Sequence, residues 1–376
     1  MEYRKAKPEE RKDYIDLANY VFSYSYRPHN FEKLLPKVYG EGVDSASMHR
    51  VAVDSRGRLC AQIAVLPETL GVCGTQLNAG FIGTVSVHPR ARGQGHMKTL
   101  MGEWIREMSG TCDFAVLSGQ RQRYGYFGFT RGGVQAFYTV NGANVRHALG
   151  EIREKGLSIR PLFETEGAAR LAANLNEKRP AYVRRSPERM PAIFQTFGQN
   201  ALGVLENGKL IGYLLTDREG GSVSELAMEK PGDIARVVKA YFLASGRREI
   251  TVASPVWDRE LNACLSGFAE SWCLEPSGMY RIFNFAKVLR AYLTLRYRST
   301  GLAPGKFSAV MDGQPVTARV GKDGVEVTSA AAADAIRLNG QQAQELLLTP
   351  FGHLKPFSVP YGWFPLPLSF YAVDTF

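Results

Sequence analysis

No stretch of the chain approaches the roughly 20 apolar residues that a membrane span needs. The start, Met-Glu-Tyr-Arg-Lys, is charged and lacks the apolar core of a secretory leader. Cysteine is scarce and poorly placed for chemistry: Cys60, Cys73, Cys112, Cys264 and Cys273 are odd in number, show no CxxC spacing and have no histidine pair nearby. That excludes a disulfide framework and a zinc site as organising features. The six histidines stand apart from one another, HExxH does not occur, and no carboxylates fall at EF-hand spacing. No metal is expected, and a cytoplasmic, reducing location follows. The basic residues form no run of five or six and no interleaved aromatic platform, so a nucleic-acid surface is not expected either.

What is present is an ordinary globular mix, 45% hydrophobic and 22% charged over 376 residues, long enough for two or three domains. The formal charge of +10 favours an anionic partner. With nucleic acid set aside, a phosphorylated small molecule is the simplest candidate.

The first 145 residues read as an α/β unit. Tyr14, Leu17, Ala18 and Val21 form one helical stripe within Pro8 to Phe22, and Arg50 to Leu66 gives two strand-like runs around the turn Asp54-Ser55-Arg56-Gly57. Phe81 to Val87 reads as a buried strand. Met97, Leu100, Met101, Trp104, Ile105 and Met108 share a helical face, and Phe114 to Leu117 supplies the next strand. Residues 150–285 repeat the plan: a helix over Ser186 to Phe197, a hairpin turning at Glu206-Asn207-Gly208-Lys209, a strand over Val223 to Met228, and a helix from about Pro231. In the last 90 residues Val288 to Tyr297 and Gly340 to Leu348 read as helices, and Phe307 to Val320 and Val325 to Val327 as strands. The end carries Trp363, Phe364, Leu366, Leu368, Phe370, Tyr371, Val373 and Phe376, an apolar load that predicts a docked tail.

The chemistry concentrates in Val85-Ser86-Val87-His88-Pro89-Arg90-Ala91-Arg92-Gly93-Gln94-Gly95-His96-Met97-Lys98. A strand ends, a glycine loop follows, and an amphipathic helix begins, which aims unpaired main-chain N–H groups at an anion. Gly93 and Gly95 let the backbone come close to phosphate oxygens, and Arg90, Arg92 and Lys98 add positive charge. The loop lacks the Lys-Ser/Thr of a Walker A sequence and the spacing of a dinucleotide fingerprint. The second half has Glu229-Lys230-Pro231-Gly232-Asp233 at the same place, and its acidic residues would repel a polyphosphate.

Arg90-Ala91-Arg92-Gly93-Gln94-Gly95 resembles the Arg/Gln-x-x-Gly-x-Gly/Ala pyrophosphate loop of GCN5-related N-acetyltransferases (GNAT). Tyr124-Gly125-Tyr126-Phe127-Gly128-Phe129 is similar to that family's Tyr-x-x-x-Gly-Phe segment. The whole-chain plan further resembles the enhanced intracellular survival (Eis) branch. The resemblance implies an α/β (α+β) fold of tandem GNAT-like domains followed by a sterol-carrier-protein-like module. The expected boundaries are 1–148, 149–285 and 286–376, with the pyrophosphate loop lost from the second domain. It also implies acetyl-CoA as acyl donor, primary amines such as aminoglycosides as acceptors, and a homohexamer.

For the cofactor the resemblance implies main-chain pairing by Val85, Ser86 and Val87 and a diphosphate held by Arg90, Arg92, Gly93, Gln94, Gly95, His96, Met97 and Lys98. Gly119 and Gln120 would touch the donor again; the side chain of His96 is left unassigned. For catalysis it implies Tyr124 as general acid, favoured over Tyr126 by its spacing to Gly128-Phe129, and the α-carboxylate of Phe376 as general base. A tyrosine of pKa about 10 facing a thiol of about 8.5 makes full proton transfer uphill by about 2 kcal/mol in water. An α-carboxyl near 3.5 becomes a better base when desolvated. Asp374 reads as structural. Open alternatives are a protein-lysine or polyamine acetyltransferase and a non-catalytic acyl-CoA or lipid binder.

Overall fold

The computed structural model describes residues 1–25, 27–351 and 359–376. The chain forms two compact units: Met1–Gly133 with Gly278–Leu366 and Thr375–Phe376, and Val134–Ser277 with Pro367–Asp374.

In the first unit the main sheet runs in the order Glu2–Lys5, His49–Val53, Leu59–Val72, Thr75–Val87, Phe114–Leu117, Gly278–Ile282, Thr130–Gly132. Thr75–Val87 and Phe114–Leu117 are parallel, and their connection is the helix His96–Thr111. That helix buries Leu100, Met101, Trp104 and Met108 among Ile63, Val65, Ile82, Ala115 and Leu117, the face its three- and four-residue spacing predicts. Trp104 Nε1 donates to the Ile63 carbonyl at 2.9 Å, fixing the helix against the sheet. The first helix, Arg11–Ser25, buries Tyr14, Ile15, Leu17, Ala18 and Val21.

A second sheet in the same unit, Gly324–Thr328, Gln314–Gly321, Gly305–Met311, Ile336–Leu338, packs on the helix Phe285–Thr300. The stretch expected as Phe307 to Val320 is a hairpin, broken at Asp312 and Gly313, both at positive φ. Gln344, on the helix Gly340–Leu348, accepts from the Ile282 N–H and donates to the Gly128 carbonyl, tying that helix to the segment around Tyr124.

The second unit repeats the first sheet's plan: Leu157–Pro161, Asn200–Glu206, Lys209–Thr216, Ser222–Met228, Glu249–Pro255, Gln135–Asn141, Ser271–Glu275. Ser222–Met228 and Glu249–Pro255 are its parallel pair, so the tandem plan holds. In both sheets the strand beyond the parallel pair is antiparallel and comes from a distant part of the sequence. Gly278–Ile282 takes this place in the first sheet, and Gln135–Asn141 in the second. The helix expected over Ser186 to Phe197 is three short turns, interrupted where Phe197 takes φ +59°. At the start of Ile234–Ser245 no glycine loop intervenes, and Asp233 pairs with Arg236 at 3.0 Å.

The second unit also encloses an ion network. Arg185 bridges Asp374 at 2.7 Å and Glu225 at 2.9 Å, Arg179 meets Glu225 at 2.7 Å, and Tyr213 donates to Glu225 at 2.6 Å. Burial opposes ionisation of Glu225, but Arg185 and Arg179 outweigh it and hold this carboxyl below the usual range. Every member is fully buried or nearly so.

Candidate active site

The site is built on the strand Thr75–Val87. It pairs in parallel with Phe114–Leu117 at Ala79–Phe114, Gly80–Ala115 and Phe81–Val116; among the described residues no pair joins the two strands beyond Phe81 and Val116. On its other side the register with Leu59–Val72 slips: Ala64 faces Gly83, but Gln62 faces Ser86. The extra residue is a bulge, and Thr84 sits in it at φ +42°. A β-branched residue at positive φ is an outlier that surrounding structure must hold in place. From the bulge to Val87 the main chain therefore faces Phe114–Leu117 unpaired, an edge on which an extended ligand can add as a strand.

Past Val87 the chain makes a short turn, Pro89–Ala91, capped by His88 Nδ1, which accepts from the Arg90 N–H at 3.2 Å. Gly93 and Gly95 follow at φ +79° and +80°, and a Cβ at either would meet nothing within 4 Å. Their role is conformational: only glycine adopts that backbone without strain. Gly95 is the N-cap of His96–Thr111 and no side chain caps this helix among the described residues, so its first N–H groups point outward at the positive end of the helix dipole.

Arg90, Arg92, Gln94 and Lys98 are exposed around that end. The Arg92 guanidinium lies 5.9 Å from the Tyr24 ring, and the Lys98 ammonium 5.2 Å from the Tyr126 ring. Met97 packs on the core. His96 is different: its ring is buried, Nδ1 lies 2.9 Å from the Tyr3 hydroxyl, and Nε2 is buried without a partner among the described residues.

Across the parallel pair, Gly119 and Gln120 are exposed just beyond Leu117. The Gln120 carbonyl accepts from the N–H groups of Arg123 and Tyr124, which starts the short helix Arg121–Gly125. This turn buries Tyr124 to 7% exposure and leaves Tyr126 at 65%. The Tyr124 ring lies against Gly119, where any Cβ would overlap it.

The chain end reaches the same strand. The Phe376 ring covers Gly83, one residue before the bulge, so closely that a methyl group there would overlap it. Lys37, on the short helix Pro36–Tyr39, donates to the Thr375 carbonyl at 2.6 Å. Val85, Ser86 and Val87, the glycine loop, Tyr124 and Phe376 thus gather around one opening in the first sheet. Asp374 is committed to Arg185. Gly83, Thr84, Lys37, Tyr39 and His49 were not singled out from the sequence. Nothing in their spacing marks them, and only the positive φ at Thr84 and the terminal ring on Gly83 give them significance.

Residues 2–132 match the acetyltransferase (GNAT) domain family. The chain carries a GNAT acetyltransferase domain. Its glycine loop, bulged strand and buried Tyr124 all lie within the matched residues, and the chain is an enzyme of the N-acetyltransferase class. No curated protein sequence matches it.

Solved structures share the fold over nearly the whole length. One is a probable N-acyltransferase from Enterococcus faecalis, 16% identical over 92% of this chain and 89% of that one, with a TM-score of 0.67. A second, a GCN5-related N-acetyltransferase from Anabaena variabilis, is 17% identical over 92% and 89%, with a TM-score of 0.64. A third, Eis1 from Mycobacterium abscessus, is 15% identical over 100% of both chains, with a TM-score of 0.66. Among the described residues no cluster of metal-ligating side chains occurs, and no helix of the GNAT-bearing chain is long and apolar enough to cross a membrane.

Proposed function

We propose that the protein transfers acetyl from acetyl-CoA to primary amines of a small polycationic, aminoglycoside-like substrate by direct attack. The observation that carries this reading is the placement of Phe376 on Gly83, within the strand Thr75–Val87, and of Tyr124 on Gly119, two residues past the end of Phe114–Leu117, beside the opening where the parallel pairing of these strands ends.

In this reading the N–H groups of Gly93, Gln94, Gly95, His96 and Met97 hold the diphosphate, with Arg90, Arg92 and Lys98 supplying charge. Val85, Ser86 and Val87 pair with the pantetheine arm, and Gly119 and Gln120 border it. Acetyl-CoA supplies the thioester carbonyl. The Phe376 carboxylate takes the ammonium proton, and the Tyr124 hydroxyl gives a proton to the departing thiolate. By the same Eis-like reading, the modules in outline are 1–148, 149–285 and a sterol-carrier-like 286–376. Strands 135–141 and 278–282 trade places between the first two. The enzyme is a cytoplasmic homohexamer.

The test is coenzyme A thiol release with a panel comprising an aminoglycoside, a linear polyamine and a lysine peptide, run on wild type and Tyr124→Phe. The aminoglycoside should turn over fastest, and Tyr124→Phe should lower kcat by about 10²-fold. Coenzyme A binding with no thiol release from any amine would leave a non-catalytic binder instead.

A further inference from the structure

Beside the acyl site lies a buried hydrogen-bond chain that the proposed chemistry does not use. His49 is fully buried on the strand His49–Val53, its ring stacked on Tyr14 at 4.2 Å. Its Nδ1 lies 2.7 Å from the Ser45 carbonyl, which only accepts, so Nδ1 carries the proton. Burial lowers its pKa to about 4, which leaves the ring neutral and Nε2 a bare acceptor. Tyr39 Oη, 2.9 Å from Nε2, must give it the only hydroxyl proton it has. Thr84 Oγ1, 2.9 Å from the same Oη, is then the donor to Tyr39. With the ring neutral, valence sets the direction of the chain: Thr84 to Tyr39 to His49 to the Ser45 carbonyl.

The chain ends on the strained residue of the bulge. The Tyr39 backbone is fixed as well, since its carbonyl accepts from Arg11 Nη2 at 2.6 Å. Its ring also bears on that of Phe376, edge to face at 6.2 Å. We propose that Tyr39 is a positioning residue of the acyl site: its hydroxyl, aimed by His49, holds Thr84 in the left-handed bulge, while its ring seats the terminal residue. One side chain thereby fixes both the strand edge offered to the donor and the chain end. The inference rests on the proposed reading that the donor lies along Val85–Val87.

The test combines steady-state kinetics, calorimetric coenzyme A binding and thermal melting of Tyr39→Phe, Thr84→Val, Thr84→Ser and the double variant Tyr39→Phe with Thr84→Gly. Tyr39→Phe keeps the ring but loses the hydroxyl, and kcat should fall by about 10- to 100-fold with the amine KM within about twofold. Thr84→Val should match it, and Thr84→Ser should stay near wild type. Glycine takes positive φ without an anchor, so the double variant should recover most of the lost kcat, which a role in fold support or proton transfer would not allow. Should Tyr39→Phe fail to fold, Thr84→Val against Thr84→Ser reads the same bond. Wild-type turnover in Tyr39→Phe or Thr84→Val, or a double variant as slow as Tyr39→Phe, overturns the inference. If the wild type binds no coenzyme A, the underlying functional reading falls and the inference with it. Binding and equal turnover in wild type and Tyr39→Phe removes the inference alone.

Discussion

The Phe376 ring lies against the Cα of Gly83, so the last residue of the chain occupies the space that any side chain at position 83 would fill. Tyr39 braces the ring from the side, and Lys37 holds the preceding carbonyl. A chain terminus is normally the first part to fray; here it is seated one residue from the bulge that opens the main sheet.

Gly83→Ala should therefore displace the terminal residue. Overpacking of this kind costs about 1–3 kcal/mol, and moving the terminus should lower kcat by about tenfold or more. Kinetics beside a thermal melt measure both. Unchanged turnover would mean that the ring's seat on Gly83 has no bearing on the reaction.

Gly95→Ala meets no neighbour, yet it forces alanine to φ +80° at the N-cap of the loop helix. The strain, about 1–2 kcal/mol, should appear as about tenfold weaker coenzyme A binding by calorimetry. Arg90→Ala and Arg92→Ala should weaken binding too and flatten its dependence on salt, whereas Gly95→Ala should leave that slope intact.

His49 predicts a window of pH-dependent stability. Burial, aided by the charges of Arg11 and Lys5 and opposed by the Ser45 carbonyl, lowers its pKa from 6.5 to about 4. Between those values the unfolded chain binds a proton that the folded chain does not. The contribution is thus fully present above pH 6.5, declines as pH falls toward 4, and reaches about 3 kcal/mol in total. Below that it stops changing, since both states are protonated. Melting curves of wild type and His49→Gln across this range should differ in slope, and parallel curves would contradict the assignment.

Asp374→Ala leaves Arg185 with one carboxylate fewer in a fully buried setting. Removing one partner of such a network costs about 3–5 kcal/mol, which denaturant unfolding should register. A loss within the noise of a surface substitution would show that the network does not anchor the tail.

The glycine loop and its helix were legible because each follows a local rule: glycines where φ is positive, apolar residues every three or four positions. Tyr124 was marked only by the resemblance of its segment to a family motif, since no local rule separates it from Tyr126. The apolar tail foretold a docked end for a similar reason. The traded strands Gln135–Asn141 and Gly278–Ile282 were not legible, since alternation along a strand does not say which sheet it joins. Nor did the sequence mark the Thr84, Tyr39 and His49 chain, whose members lie up to 45 residues apart and meet only after folding. His96 sits at the loop as its position implies, but its ring turns inward to Tyr3 because that face of the helix is the buried one.

The most direct measurement is thiol release by a chain carrying one extra glycine after Phe376, with coenzyme A binding measured on the same sample. The added residue keeps every side chain of the sequence and carries the terminal carboxylate one residue away from Phe376. The account predicts undiminished coenzyme A binding and a kcat lower by about 10²-fold or more. Wild-type turnover in the extended chain would contradict it.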